Sequence, residues 1–179
     1  MLALKRDSTL KIKPVGPFDL GRLARLHQAC FEDPWSRADL AHLLALPGGF
    51  GLLARLFEPN LAGLDGMRGV GFALCRVVRD EGELLSIGVG PAYRRRAIGV
   101  ALLRESMERC RRAGANAMFL EVATDNVSAQ LLYQTFGFNE VGRRDGYYQR
   151  ANGTRVSAYT MRRDLTDLPL PNGRVRHWR

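Results

Sequence analysis

The feature that most constrains the fold is an apolar strand joined through a basic turn to an amphipathic helix. Residues 84–89, "LLSIGV", are almost continuously apolar, which is typical of a strand buried on both faces. Pro91 ends the strand, and the turn "RRRAIG" leads into a helix over 98–112, in which apolar residues recur at spacings of four and three. This unit indicates a protein that combines helices and strands around one sheet.

Hydrophobic periodicity and turn residues predict elements in the order β-α-α-β-β-β-α-β-α-β-β. A mixed sheet of this kind belongs to the α/β or α+β class. The 179 residues suffice for one domain of ordinary size, which we expect to span residues 10–163. A flexible leader is expected over 1–9, and a basic C-terminal extension rich in proline and glycine over 164–179.

The turn before the helix at 98–112 predicts an anion site. The first N–H groups of a helix have no partner within it, and the helix dipole adds partial positive charge there. The turn contains neither the GxxxxGK[ST] loop that binds nucleoside triphosphates nor the GxGxxG fingerprint of dinucleotide folds. The sequence therefore disfavours both a nucleoside triphosphate site and a dinucleotide site of these types.

The excess of positive charge points to an anionic partner without identifying it. The chain carries 27 Lys and Arg against 18 Asp and Glu, for a net charge of +9. Nucleic acid, a phosphate-bearing cofactor, an acidic protein surface and a plain compositional bias toward arginine all remain open. Single-strand binding usually interleaves cations with stacking aromatics, whereas only Tyr93 adjoins the arginines at 94–96. We therefore expect no direct binding of nucleic acid.

Cysteine usage and hydropathy bear on metals and on location. Cys30, Cys75 and Cys110 are far apart and form no CxxC pair, so we expect no metal site and reduced thiols, as in a cytoplasmic protein. The first residues lack the apolar stretch of a signal peptide. No run approaches the ~18 apolar residues of a spanning helix, so we expect no membrane contact.

The stretch "YRRRAIGVALL" resembles the (Q/R)-x-x-G-x-(G/A) signature of the GNAT N-acetyltransferases. In that family, backbone N–H groups of this turn hold the pyrophosphate of acetyl-CoA. Ala97 stands where the first glycine is usual, and we predict that it keeps its N–H in the cradle with a helical φ. The resemblance implies acetyl-CoA as co-substrate, no metal, and a cofactor-binding set of Arg95, Arg96, Ala97, Ile98, Gly99 and Val100.

The downstream stretch "FLEVATDNVSAQLLYQTFGF" resembles the bacterial RimI-type branch of that family, whose pattern LEV-x-x-x-N-x-x-A-x-x-LY-x-x-x-GF it meets at every fixed position. "FEDPWS" resembles the branch's "PWS", and the similarity covers roughly residues 10–163. The resemblance implies the GNAT fold of about seven mixed strands and four helices, with the fourth and fifth strands splayed apart. It also implies acetylation of a protein N-terminal α-amine, the branch's acceptor being a small-subunit ribosomal protein.

Glu121 and Tyr133 match the positions of the family's catalytic pair. The residue pattern alone leaves alternatives open: Glu121 fits a strand-end carboxylate paired with an arginine, and Tyr133 fits a core tyrosine on a helical stripe. The resemblance implies that Glu121 is the general base and that Tyr133 is the general acid for the CoA sulfur. A phenol with a pKa near 10 suits the latter role.

Four further residues are implied as cofactor contacts. Ile87, Gly88 and Val89 close the fourth strand, where the family's pantetheine arm inserts like an extra strand, and the N–H of Val89 is expected to polarise the thioester carbonyl. The alternative is an ordinary central strand whose glycine marks a bulge. Asn126 opens the short helix, where it fits an N-cap as well as the family's cofactor contact.

Proton chemistry and the resemblance both bear on the acceptor amine. An α-amine titrates near 7.7–8.0 and lysine near 10.4, so deprotonation at pH 7 costs roughly 1 and roughly 4.6 kcal/mol respectively. RimI-type enzymes flank the peptide with the turn after the first helix and with the last hairpin, which implies substrate contacts at Trp35, Tyr147 and Tyr148. We expect both tyrosines in an exposed loop, and a core role is the alternative for Trp35.

Other activities remain as alternatives. The chain fits a GNAT enzyme that acetylates lysine side chains or a small-molecule amine such as a polyamine or an aminoglycoside. Few acidic residues lie outside the expected core, which disfavours polycationic acceptors. An acyl-CoA-binding module without turnover is a third alternative, against which the presence of both Glu121 and Tyr133 argues.

Overall fold

A computed structural model describes residues 10–59, 65–150 and 152–167. The leader expected over 1–9 lies outside the described residues, as does the expected C-terminal extension from residue 168 onward. The helices are α1 (Leu20–Cys30), α2 (Arg37–Ala45), α3 (Ile98–Arg112) and α4 (Val127–Thr135). The strands are β1 (Leu10–Pro14), β2 (Gly49–Pro59), β3 (Asp65–Val78), β4 (Glu81–Val89), β5 (Ala117–Ala123), β6 (Asn139–Gln149) and β7 (Arg155–Asp164).

The strands form one mixed sheet in the order β1-β2-β3-β4-β5-β7-β6. β4 and β5 run parallel, whereas β5 and β6 each run antiparallel to β7. The parallel pairing joins 81–84 to 117–120, while β4 continues to Val89 and β5 to Ala123. The predicted mixed sheet and four helices are confirmed, and the pairing ends where the two strands are expected to part.

The described residues divide into two compact units. The first unit takes those within Met1–Cys75 and Leu85–Leu103, and the second takes those within Arg76–Leu84 and Arg104–Arg179. Burial of one large apolar side chain contributes about 1.5–3 kcal/mol, so a small cluster suffices to fix α1 and α2 on the sheet of the first unit. That cluster consists of the fully buried side chains of Leu23, Leu40, Leu53, Phe72 and Leu74.

The second unit has its own core, built around the end of α3 and β5. Gly82 packs so closely on α3 that a Cβ there would lie 2.9 Å from the Cys110 Sγ. The Leu165 N–H donates to the Asn116 carbonyl at 2.8 Å, which ties the end of β7 to the start of β5. The buried apolar side chains of the second unit include Met107, Cys110, Met118, Leu120, Phe138, Met161 and Leu165.

Local signals in the sequence set the helix ends. The Ser36 Oγ accepts from the Asp39 N–H at 3.2 Å, and the Asp39 carboxylate accepts from the Ser36 N–H at 2.9 Å, which caps α2. Gly114 follows α3 with φ 97°, and Gly137 follows α4 with φ 78°, both left-handed values that favour glycine. Residue type predicts Ser36 as an N-cap and Gly114 and Gly137 as helix stops, and all three predictions are confirmed.

Candidate active site

The turn before α3 adopts left-handed φ at two non-glycine residues. φ is 62° at Arg95 and 57° at Ala97, and the helix begins at Ile98. The prediction of a helical φ at Ala97 is therefore wrong. Left-handed residues alternating with ordinary ones curl successive N–H groups toward one side and form an anion-binding concavity. An L-residue pays about 1–2 kcal/mol for this conformation, which accounts for the usual glycine at the position of Ala97.

The N–H groups that follow this turn are available to an anion. In the described part of the chain, the first α3 N–H with a backbone partner is that of Ala101, which donates to the Ala97 carbonyl at 3.0 Å. The N–H groups of Ile98, Gly99 and Val100 precede it and have no acceptor within the helix. The turn therefore offers a row of donors at the positive end of α3, as the sequence predicts.

The three arginines of the turn differ in their contacts. Arg94 folds back on β4, where its Nε donates to the Val89 carbonyl at 3.3 Å. The guanidinium of Arg96 lies 5.5 Å from the centre of the Tyr93 ring. All three side chains, with Arg95 between the other two, are exposed. Their charges therefore add positive potential around the turn.

The end of β4 is tightly packed at Gly88. A Cβ at this position would lie 2.7 Å from the Phe72 ring and 3.0 Å from the Cys30 Sγ. Close packing thus explains the glycine without a bulge. Ile87 and Val89 on either side are half-buried.

Trp35 is held by a buried histidine that the sequence analysis missed. The Trp35 N–H donates to His27 Nδ1 at 3.1 Å, and the two rings stack with their centres 5.0 Å apart. Since Nδ1 accepts, the neutral ring carries its proton on Nε2, which faces the Ser86 Oγ at 3.4 Å. Burial lowers the pKa of His27, and the charge of Asp33 partly opposes that effect. The sequence does contain a signal for this burial, because His27 lies one helical turn after Leu23 and therefore on the same, core-facing side of α1.

Glu121 on β5 lies beside an arginine and two tyrosines from β6. Arg144 Nη1 is 3.0 Å from Glu121 Oε1, so the arginine pairing that the sequence left open is present. The Glu121 carboxylate raises the pKa of Tyr147, because it accepts from the neutral phenol and repels the phenolate. The Tyr148 hydroxyl donates to the backbone carbonyl of Glu121 at 3.4 Å. The structure therefore brings the expected base and two expected substrate contacts together.

Tyr147 and Tyr148 belong to β6, so the expectation of an exposed loop is wrong. Arg144 opposes Ala158 on β7, and after an irregularity Tyr148 opposes Val156, which returns the chain to the ladder. Burial is the largest cause that raises the pKa of Tyr148, to about 12, whereas Tyr147 remains exposed. The Asp-Gly in "RRDGYY" indicated a turn, but the antiparallel partner extends the strand through it.

Tyr133 on α4 combines a packed ring with an open hydroxyl. Its side chain is 5% exposed, and its ring meets Phe138 edge to face at 5.9 Å. Burial raises the pKa of Tyr133 well above the ordinary value, so the expectation of a pKa near 10 is wrong. Among the described residues, the hydroxyl has no hydrogen-bond partner. An open hydroxyl without a protein partner, on a ring that is otherwise packed, fits a group that donates to a ligand.

Asn126 is the N-cap that the sequence allows. Its Oδ1 accepts from the Ala129 N–H at 3.2 Å, which starts α4. The turn around it is fixed to the hairpin, because Arg150 Nη2 donates to both carboxylate oxygens of Asp125 at 2.8 and 2.9 Å. The cap uses the oxygen of the Asn126 side chain, so the predicted cofactor contact falls to its amide nitrogen.

Three findings bear on metals, membranes and thiols. Within the described ranges, no group of three or more His, Cys, Asp or Glu side chains is placed to hold a metal ion. No helix in those same ranges is both long enough and apolar enough to cross a membrane. In the described residues no disulfide joins Cys30, Cys75 or Cys110, and of these three only Cys30 is partly accessible.

Comparison with known proteins agrees with the resemblance read from the sequence. A model described as "Acetyltransferase (GNAT) family" matches residues 20–138. "N-alpha-acetyltransferase RimI" of Mycobacterium tuberculosis is 40% identical over 151 residues, covering 83% of this chain and 89% of that protein. "[Ribosomal protein bS18]-alanine N-acetyltransferase" of Haemophilus influenzae is 35% identical over 150 residues, covering 84% and 95%. The resemblance to the RimI-type branch is confirmed.

Solved structures agree with the fold. The ribosomal-protein-S18-alanine N-acetyltransferase of Escherichia coli superposes with a TM-score of 0.74 at 28% identity, covering 88% of this chain and 94% of that chain. Arabidopsis thaliana NAA60 in complex with acetyl-CoA superposes with a TM-score of 0.75 at 21% identity, covering 87% and 98%. The second likeness supports the fold alone.

Proposed function

The chain belongs to the GNAT family of acetyltransferases, and on that premise we propose that it transfers the acetyl group of acetyl-CoA to the N-terminal α-amine of a protein. Relatives named as ribosomal protein bS18-alanine N-acetyltransferases extend the proposal to a ribosomal protein as acceptor. One observation carries it: β6 presents Tyr147 and Tyr148, the expected peptide contacts, directly at Glu121, the expected base.

Glu121 is assigned the proton that the acceptor amine loses. As the amine nitrogen forms its bond to the acetyl carbon, an N–H bond breaks and that proton passes to a carboxylate oxygen, directly or through one water. The hydroxyls of Tyr147 and Tyr148 are assigned to the peptide that delivers the amine.

Tyr133 is assigned the opposite proton movement. The raised pKa of its phenol keeps the proton on the oxygen throughout the neutral range, so the donor is always loaded. The open hydroxyl is then free to donate to the sulfur that leaves. The same high pKa favours a strong hydrogen bond to the developing thiolate over early release of the proton.

The first unit supplies the backbone groups assigned to acetyl-CoA, which provides the thioester and the phosphates, and the amide nitrogen of Asn126 is assigned a further contact with it. The row of N–H groups from Arg95 to Val100 suits the pyrophosphate, because it joins a left-handed turn to a helix start. The exposed arginines of the turn add attraction for the phosphates. The Val89 N–H is assigned to the thioester carbonyl, where developing negative charge would strengthen the contact.

A panel of acceptors tests the proposal. Acetyl-CoA turnover is measured with peptides that carry a free α-amine and no lysine, with the same peptides blocked at the N-terminus and given one lysine, and with spermidine. We expect kcat/KM at pH 7 to favour the free α-amine by at least tenfold, because its neutral form is the more populated. If only lysine or spermidine is acetylated, the family assignment stands, but the proposal that the acceptor is an α-amine is wrong.

A further inference from the structure

Arg144 is a charged residue of the second unit to which the roles above assign no task. Its Nη1 lies 3.0 Å from Glu121 Oε1, while its side chain is 58% exposed and that of Glu121 is 21% exposed. The guanidinium also lies 5.2 Å from the centre of the Tyr147 ring. A half-exposed ion pair of this kind is worth about 0–1 kcal/mol, so the pair opens easily.

An irregularity in β6 aims Arg144 at the carboxylate. From Arg144 to Tyr148 the strand advances four residues while β7 moves from Ala158 to Val156, so β6 carries extra residues over this stretch. Gly146 in the bulge has φ 58°, and its N–H donates to the Ser157 Oγ at 3.3 Å. In an unbroken strand, side chains three apart point to opposite faces, but the bulge lets both Arg144 and Tyr147 reach Glu121.

The acceptor amine and Arg144 are rival cations for the same carboxylate. An α-amine is mostly protonated at pH 7, so it reaches Glu121 as an ammonium ion. While the guanidinium stays on Oε1, it occupies that oxygen and offsets the negative charge that would attract the ammonium. The Tyr147 ring already lies within cation–π distance of the guanidinium, so this contact remains available when the guanidinium leaves Oε1.

From these contacts we propose that Arg144 is a positioning residue that sets the affinity for the acceptor. It occupies Glu121 in the free protein and leaves Oε1 when the ammonium of the acceptor arrives. The proton balance then has two steps. One N–H bond of the ammonium breaks, an O–H bond forms on Glu121 and this proton passes on to water, while the amine keeps its electron pair. The carboxylate is then free to take the second proton, which the nitrogen loses as it bonds to the acetyl carbon. This inference rests on the proposed function, because it takes Glu121 as the group that meets the acceptor amine.

The test compares Arg144→Gln with wild type and with Arg155→Gln. Arg155 is an exposed arginine of the same hairpin that pairs with Gln149, five residues along β7 from the Thr160 that opposes Glu121. Its loss removes the same charge without touching the carboxylate. We expect Arg144→Gln to lower the acceptor KM about two- to fivefold and to leave the acetyl-CoA KM unchanged. Arg144→Lys keeps a cation on the strand and is expected to stay near wild type.

A binding measurement separates this inference from the proposed function. Calorimetry gives the affinity of a free-amine peptide for the protein saturated with coenzyme A, where no turnover is needed. Tighter binding by Arg144→Gln, without change in Arg155→Gln, supports the inference even if the assay shows turnover only with other amines. A weaker or unchanged acceptor affinity in Arg144→Gln overturns it, as does an equal gain in Arg155→Gln, which would be a general charge effect.

Discussion

The turn before α3 and the cluster at Glu121 are built from different parts of the chain. The turn offers backbone N–H groups, whose direction depends on φ and ψ and hardly on which side chains are attached. The cluster consists of side chains from β5 and β6 that converge on one carboxylate. A backbone site tolerates an unusual residue such as Ala97 at a cost in strain, whereas a side-chain site depends on the functional group that each member carries.

Substitutions in the two regions are therefore expected to change different kinetic quantities. Substitutions in the turn act through backbone conformation, so they should change the affinity for acetyl-CoA and spare the chemistry at saturation. Substitutions in the cluster change proton transfer, so they should lower turnover and spare the affinity for acetyl-CoA.

Glu121→Gln carries the largest expected effect. The amide keeps the shape of the side chain but cannot take a proton, so kcat should fall about 10²–10⁴-fold. The acetyl-CoA dissociation constant, measured by calorimetry, should remain within about twofold of wild type, since the donors of the turn are untouched. A kcat within tenfold of wild type would remove Glu121 from the role of base.

Tyr133→Phe should have the next largest effect. The ring and its contact with Phe138 are kept, while the open hydroxyl is lost. We expect kcat to fall about 10²-fold, the lower end for a general acid, because the raised pKa of Tyr133 already limits full proton transfer. Melting temperature serves as the control and should not fall, since the hydroxyl has no partner among the described residues to lose.

Ala97→Val tests the backbone site. A β-branched residue is poorly accommodated at φ 57°, so the turn should open and the acetyl-CoA affinity should weaken about tenfold, with kcat at saturation near wild type. Ala101→Val, one turn later in α3, is the matched control and should bind nearly as wild type. Ala97→Gly should bind at least as tightly as wild type, because it removes the left-handed strain. Equal binding by Ala97→Val and Ala101→Val would contradict this account.

His27 gives the smallest effect, visible only as a pH dependence. Its pKa is lowered in the folded protein, so the unfolded chain takes up the proton first as the pH falls below the ordinary value of 6.5. This contribution to stability is therefore complete above pH 6.5 and lost as the pH falls toward the folded pKa. Urea unfolding of wild type and His27→Gln between pH 5 and 8 should show a shallower acid loss in the variant. Parallel curves would show that His27 does not titrate in this way.

The features that could be predicted from the sequence are those that depend on neighbouring residues in the chain. Ser36 and Gly114 act through their own neighbours, so their cap and stop were readable from residue type. The sheet class followed from the apolar run at 84–89 and the helix after it. The roles of Glu121 and Tyr133 were implied only by the resemblance, because the residue pattern alone left other interpretations of both open.

The rest depended on contacts across the fold. At Ala97 the residue type favoured a helical φ, and the motif's usual glycine was the better guide to the backbone. The Asp-Gly before Tyr147 indicated a loop, because pairing with β7 is invisible to local propensity. The approach of Arg144 to Glu121 requires both the pairing and the bulge, and the buried state of His27 requires α1 to pack on the sheet.

One peptide that carries both a free N-terminus and an internal lysine can decide whether the enzyme acetylates a protein α-amine with Glu121 as the base. After brief incubation with acetyl-CoA at pH 7, fragmentation mass spectrometry locates the acetyl group. We predict acetylation at the α-amine by the wild type and no product from Glu121→Gln over the same time. Acetylation of the lysine at an equal or higher rate, or undiminished product from Glu121→Gln, would contradict the account.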